Sequence, residues 1–399
     1  MASPFADRMS KVHKSFIREI LKVTEDPGII SFAGGLPNPK FFPVKELARA
    51  AQKVLDECGQ AALQYSTTEG FLPLREIIAQ RYAEKGLRVG AEDILITGGS
   101  QQGLDLLGKA FLNKGDRIIV EDPTYLAAIQ SFGMFEPTFQ TVPLQEDGVD
   151  VDALTGALSC SGSGGPAKLF YAVPNFQNPT GVSYSEDKRR QVADALLEGR
   201  ERATYFIEDD PYGELRFMGR PAPSMWHFLE DRAILLGSFS KVMSPGMRLG
   251  WISACPEVME KLVIAKQASD LHTNYLSQRI AHQYLVDNDV NRHIELIRAE
   301  YGRQRETMVR MIEETFPPGV RYTRPEGGMF LWITLPEKLS SLELFNRAIK
   351  NNVAFVPGQA FYANGGGENT MRLNFSNSDD ERIVEGMSRL ARAIKEMMA

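Results

Sequence analysis

Between residues 90 and 255 short apolar runs alternate with stretches in which apolar positions recur every three or four residues. The runs, bounded by polar or Gly/Pro positions, predict strands at Ile94–Thr97, Arg117–Glu121, Thr138–Pro143, Lys168–Val173, Thr204–Glu208, Ala233–Gly237 and Gly250–Ala254. The stretches between many of them predict helices, among them Gln101–Leu112, Leu126–Phe132 and Glu186–Leu197. This βαβ rhythm predicts an α/β domain: a mostly parallel, seven-stranded sheet with both faces covered.

The pattern changes at both ends. Ile17, Ile20 and Leu21 among basic residues predict a short amphipathic helix that stops at Pro27-Gly28. The stretch IISFAGGLPNPKFFP then predicts an extended arm, whose glycines and prolines exclude regular structure. Residues 256–316 carry long helical patterns, the last from Val290 to Phe316. VRYTRPEGGMFLWITLP predicts a hairpin turning at Gly327-Gly328, followed by a helix near Leu342–Lys350, two short strands and a terminal helix from Asp379. The expected division is helix and arm over the active site (1–44), a large domain (45–290) and a smaller α+β domain (291–399). CSGSGG at 160–165 reads as a surface loop.

Composition narrows the class. The 399 residues are 43% hydrophobic and 24% charged, which suits two packed globular domains. Lys and Arg number 45 against 51 Asp and Glu, a net charge of −6, without the basic footprint of a nucleic-acid binder. No apolar run approaches the roughly 20 residues that span a bilayer. Cys58, Cys160 and Cys255 lie far apart with no C-x-x-C pair, and the histidines show no metal-ligand spacing. The expectation is a cytoplasmic protein with no membrane, metal or nucleic-acid role.

Candidate chemistry gathers where the predicted strands end. TGGSQQG offers a strand, a small-residue turn and a helix start, so the N–H groups of Ser100 and Gln101 would face a phosphate with the helix dipole behind them. It matches neither G-x-x-x-x-G-K-[ST] nor G-x-G-x-x-G, and a plain serine cap is the local alternative. GSFSKVMSPGMRLGW sets Lys241 among Ser238, Ser240 and Ser244, with Arg248 seven residues on. A buried or cation-flanked lysine loses basicity and becomes a nucleophile for a carbonyl; an ordinary surface lysine is the alternative. NFQNPTG puts Asn178, and EDDPYGELRF puts Asp209 and Tyr212, just beyond two further strands. Asn-Pro and Asp-Pro also begin turns for local reasons. Together with Tyr125, however, these groups converge on one crevice.

N-P-T-G, D-x-P-Y and S-x-S-K with an arginine seven positions on, in that order, resemble the fold-type I pyridoxal-phosphate aminotransferases of class I/II. The resemblance runs through the whole chain to MRLNF. The arm, QYSTTEG, TGGSQQGLDL and FVPGQAFYANGGGENTMRLNF are similar to the 2-aminoadipate (LysN-type) and kynurenine/2-aminoadipate branch. Aminotransferase-like regulators carry an added winged-helix domain upstream, for which this chain, beginning near the arm, is expected to lack the segment.

The resemblance implies that Lys241 forms a Schiff base with pyridoxal 5′-phosphate and afterwards acts as the base. Asp209 would keep the pyridine nitrogen protonated; Asp210 is its rival, disfavoured by strand alternation and by the D-x-P-Y spacing. Asn178 and Tyr212 would bond the ring's 3-oxygen, and Tyr125 would stack on the ring. Ser100, Gln101, Ser238, Ser240 and Arg248 would hold the phosphate, with Tyr65 reaching it from the other subunit of a homodimer. Arg372 would grip the substrate α-carboxylate in a two-bond fork. Gly34 and Gly35 would approach the substrate, and Arg18 would meet an acidic side chain. The implied reaction exchanges an amino group between glutamate, 2-aminoadipate, leucine or aromatic amino acids and 2-oxoglutarate. A lyase or decarboxylase on the same fold, or a cofactor-binding regulatory module, are the alternatives.

Overall fold

The computed structural model describes residues 4–10, 20, 26, 28–160, 165–198 and 204–398. Apart from Ile20, which is buried, the predicted N-terminal helix, Arg18 included, and the middle of the 160–165 loop lie outside these residues.

The central sheet runs in the order Ile94–Thr97, Gly250–Ser253, Ala233–Ser238, Tyr205–Asp209, Leu169–Ala172, Arg117–Asp122, Thr138–Gln145, Gly148–Val149. It has eight strands rather than the seven expected. The addition is a two-residue edge after the turn at Glu146-Asp147, too short to show a periodic pattern. Gly250–Ser253 is antiparallel to both its neighbours and Gly148–Val149 to its one neighbour; the other pairings are parallel. Alternate residues feed two cores. Ile118, Val120, Leu169, Tyr171 and Ile207 pack on one face, and Ile119, Phe170 and Phe206 on the other. That two-sided burial is why the strands read as continuous apolar runs.

Because Gly250–Ser253 alone among the long strands runs backwards, its start lies level with the ends of its neighbours: Gly250 pairs with both Thr97 and Ser238. Every strand-end segment carrying candidate chemistry therefore opens on one side of the sheet, where α/β proteins place ligands.

Beyond the helices Pro256–Asp270, Tyr275–Asp287 and Val290–Thr315, a four-stranded antiparallel sheet runs in the order Arg321–Tyr322, Phe330–Thr334, Thr370–Asn374, Val356–Pro357. The helices Ser341–Lys350 and Asp380–Met398 complete this part. Three strands, not two, follow Lys350, because one extended stretch is shared between two sheets. Val356–Pro357 joins the four-stranded sheet, whereas Val353–Ala354 pairs in parallel with Ile30–Ser31. The arm thus has regular structure after all, in the residues before its glycines, with a 3-10 turn at Pro39–Phe41. Asn374 N–H donates to Phe32 O at 2.8 Å and anchors the arm further. Among the described residues no helix is long and apolar enough to cross a membrane.

Under the sheet face opposite the crevice, Arg189 is buried and fully bonded. It donates to Glu208 at 3.4 Å, Asn175 Oδ1 at 2.6 Å, and the carbonyls of Pro174, Tyr184 and Pro223 at 3.0–3.2 Å. Glu208, buried too, also accepts Met225 N–H at 2.9 Å. Removing the cation strands a buried carboxylate and four acceptors. Arg189→Met is therefore expected to cost about 3–5 kcal/mol of unfolding free energy, measured in denaturant titrations; a loss under about 1 kcal/mol would show the pair to be dispensable.

Candidate active site

Asp209 ends its strand, and alternation turns it to the face opposite Glu208. It is 2% exposed; its Oδ2 accepts a hydrogen bond from Tyr171 at 2.8 Å, while Oδ1 is buried with no partner among the described residues. Burial pushes the carboxyl up to about 7, against the lowering effect of the Tyr171 bond. Asp210, the rival, instead accepts Gly213 N–H at 2.7 Å and closes the local turn. Tyr212, buried, has its hydroxyl 3.4 Å from Asn178 Nδ2 and its ring edge-on to Phe330.

Arg372 lies on Thr370–Asn374 and is 2% exposed. Its Nη1 donates to Asn178 Oδ1 and its Nη2 to Ala33 O, both at 2.8 Å, and its Nε has no partner among the described residues. The guanidinium sits 4.3 Å from the Phe330 ring centroid and 5.1 Å from that of Phe361. Burial lowers it to about 10, although Tyr212 and Tyr125 favour its charge. Lys241, three residues beyond Ala233–Ser238, donates from Nζ to Gly35 O at 2.9 Å and stands 5.9 Å over the Tyr212 ring. Burial first, then the charges of Arg372 and Arg248, bring its amine down from 10.5 to about 8.

On the other flank, Ser238 and Ser240 share a hydrogen bond at 2.9 Å. Gly99, at φ 89, caps the helix Ser100–Phe111, so Ser100 is its first residue and not its cap. Arg248, held in the left-handed region at φ 52, donates to Gly98 O at 3.0 Å. A Cβ on Gly99 would fall 2.7 Å from the Arg248 guanidinium, and one on Gly250 would meet Ser100 N at 2.7 Å. At Gly250 the contact is with backbone and only glycine permits it, while at Gly99 the positive φ is what favours glycine. Gln101 is exposed, with Nε2 near Ala127 O at 3.4 Å. Tyr125 precedes the helix Leu126–Gly133; burial and the charge of Asp209 push its hydroxyl to about 12. Gly34 adjoins Gly35 in the arm, and a Cβ on Gly35 would press on Phe330 at 3.2 Å. Tyr65 is 78% exposed and meets His272 edge-on at 5.8 Å.

The donor set fits the group that the resemblance implies. A glycine-lined backbone cradle with two serines and an arginine suits a phosphate. An unpartnered buried carboxyl oxygen suits a ring N–H, and a buried amine of lowered basicity suits a carbonyl.

Several residues of the site were not singled out by the sequence. Tyr171 looks like strand core until Asp209 is seen beside it. Glu121, buried and pushed up to about 7 by burial, accepts from Tyr184 Oη at 2.8 Å, Gln177 Nε2 at 2.9 Å and Val173 N at 3.2 Å. Gln177 Oε1 in turn accepts from Thr180 N–H and its hydroxyl, locking the turn that carries Asn178. Phe330, Phe361 and the Ala33 carbonyl, which surround Arg372, have no sequence signature beyond an apolar strand and a loop.

The Lys241 amine is neutral above about pH 8 and an ammonium below it. Uptake of pyridoxal phosphate by cofactor-free protein should therefore accelerate with pH through a midpoint near 8. A midpoint near the ordinary lysine value, in rapid-mixing absorbance, would contradict the burial of this amine.

Comparison with known proteins agrees with the geometry. The family described as "Aminotransferase class I and II" matches residues 33–390. A 2-aminoadipate transaminase of Thermus thermophilus is 45% identical over 99% of this chain and 97% of its own length. An aromatic-amino-acid aminotransferase of Thermococcus litoralis is 44% identical over 99% of this chain and 94% of its own. The crystal structure of a Pyrococcus horikoshii kynurenine aminotransferase, in complex with PMP, superposes with a TM-score of 0.94 at 44% identity, covering 99% of this chain and 98% of that one. The crevice, its buried amine and these full-length matches place the chain in the class I and II aminotransferase family.

Proposed function

We propose that this aminotransferase moves the amino group of 2-aminoadipate, glutamate, leucine or an aromatic amino acid to 2-oxoglutarate. The observation that carries the reading is Arg372: a buried guanidinium whose Nε has no partner among the described residues, held beside Asn178 in the same crevice as Lys241. A dry, planar cation of this kind suits an α-carboxylate, which it can hold with two parallel bonds. The similar enzymes named for 2-aminoadipate and aromatic amino acids support the substrate range.

Bound pyridoxal 5′-phosphate supplies the electron sink that makes the Cα proton of the amino acid acidic. The chain's own residues do the rest. Arg372 binds the carboxylate and, with Phe330 and Phe361 against it, keeps water from the reacting carbon. Lys241 Nζ, neutral above about pH 8, takes and returns the Cα proton. Asp209 Oδ1 holds a proton at the ring nitrogen. Asn178 and Tyr212 orient the ring oxygen, and Tyr125 supports the ring face. Ser100, Gln101, Ser238, Ser240 and Arg248 hold the phosphate. Tyr65, so exposed in one chain, serves the neighbouring subunit of a homodimer. Arg18 reads a distal carboxylate, and Gly34 and Gly35 approach the substrate.

We assign residues 1–44 to the N-terminal helix and arm, 45–290 to the large domain and 291–399 to the small one; the two main sheets fall on either side of residue 290. We assign the enzyme to the cytoplasm, where its three unpaired cysteines would persist as thiols.

The test is a half-reaction without keto acid, in which loaded enzyme meets glutamate, 2-aminoadipate, leucine, phenylalanine, kynurenine or alanine. Loss of the yellow cofactor band is expected, led by the two acidic donors. Arg18→Ala should slow those two about tenfold more than leucine, the worth of one charge-assisted bond. Equal slowing would remove Arg18 as the side-chain reader, and no conversion with any donor would contradict transamination.

A further inference from the structure

Leu169–Ala172 lies beside the strand that ends in Asp209, with Tyr171 in register with Ile207. Ile207 and Asp209 share a face, so the Tyr171 hydroxyl reaches along that face to Asp209 Oδ2 at 2.8 Å. Tyr171 is fully buried, and its ring is held edge-on by Phe132 at a centroid distance of 5.9 Å. A phenol has one proton to donate, and here it goes to this carboxylate. The neighbours that reach Asp209 through space are Asp210, Glu121, Tyr125 and Tyr212. None of these is a cation. Among the described residues, the Tyr171 hydroxyl is what the protein offers to stabilise the charge of Asp209.

We propose that Tyr171 is a positioning residue that commits Asp209 Oδ2, leaves Oδ1 to face the cofactor ring, and keeps the shared proton on the ring nitrogen. This rests on the reading that Asp209 meets that nitrogen. A hydrogen bond to a carboxylate favours its ionised form, and burial favours the neutral one. Without the hydroxyl, burial acts unopposed. The carboxyl oxygen then takes the proton, and the ring nitrogen becomes neutral and a poorer sink. A tyrosine that merely filled the core would affect stability and leave that proton where it was.

The experiment loads wild type, Tyr171→Phe and Asp209→Asn with pyridoxal phosphate carrying 15N in the ring, and reads the nitrogen shift near neutral pH. Phe keeps the ring and its packing on Phe132, so the variant removes one oxygen. The wild type is expected at the pyridinium position and Tyr171→Phe displaced toward neutral pyridine. With it kcat should fall roughly ten- to a hundredfold while KM stays within about twofold, as for loss of a bond to a charged group. A Tyr171→Phe nitrogen still at the wild-type position overturns the proposal. A neutral nitrogen in the wild type, or an Asp209→Asn shift identical to wild type, removes the underlying reading of Asp209 instead, and the two failures are told apart by which sample moves.

Discussion

Holding the half-buried Lys241 amine beside two arginines is the constraint around which the rest of this structure is arranged. A lysine in that setting loses basicity, and Arg372, with which it shares the crevice, would be costly to bury without acceptors and ring faces around it. The protein meets both needs with backbone. The Gly35 carbonyl accepts from Lys241 and the Ala33 carbonyl from Arg372, while Asn178 and two phenylalanines complete the arginine's surroundings. Those carbonyls are available only because the arm is pinned. Ile30–Ser31 pairs with Val353–Ala354, and Phe32 accepts from Asn374, two residues beyond Arg372.

The sheet supplies the other half of the arrangement. Parallel strands deliver Ser100, Tyr125, Asn178, Asp209 and Lys241 to one side, and the single long reversed strand brings Arg248 in from its start. Gly250 lets backbone and helix N-terminus close up where a side chain would collide, and Gly99 supplies the positive φ beside the Arg248 guanidinium. Strand alternation then separates two buried carboxylates of adjacent number. Glu208 turns to the far face and a structural arginine, and Asp209 turns to the crevice.

The parts of this legible in the sequence are those set by local pattern. Doubly buried strands appear as apolar runs, and Asn178, Asp209 and Lys241 stand just past them in short polar motifs, so the large sheet and the crevice could be read together. A period of two separates Asp209 from Asp210, and the D-x-P-Y spacing of the resemblance favours Asp209; in the structure Asp210 closes a turn. What depends on pairing between distant segments was not legible. The split of 353–357 between two sheets is decided by the arm more than 300 residues earlier. Tyr171 and Glu121 look like ordinary strand positions until their partners arrive from other strands. The eighth strand is too short to carry a period.

Borohydride reduction of the loaded enzyme, followed by digestion and mass spectrometry of the peptides, tests the central claim most directly. Reduction fixes the cofactor permanently to whichever amine carries it. The account predicts a phosphopyridoxyl mark on Lys241 in the peptide that spans Ser238 to Arg248. A mark on another lysine, or cofactor released with every lysine unmodified, would contradict it.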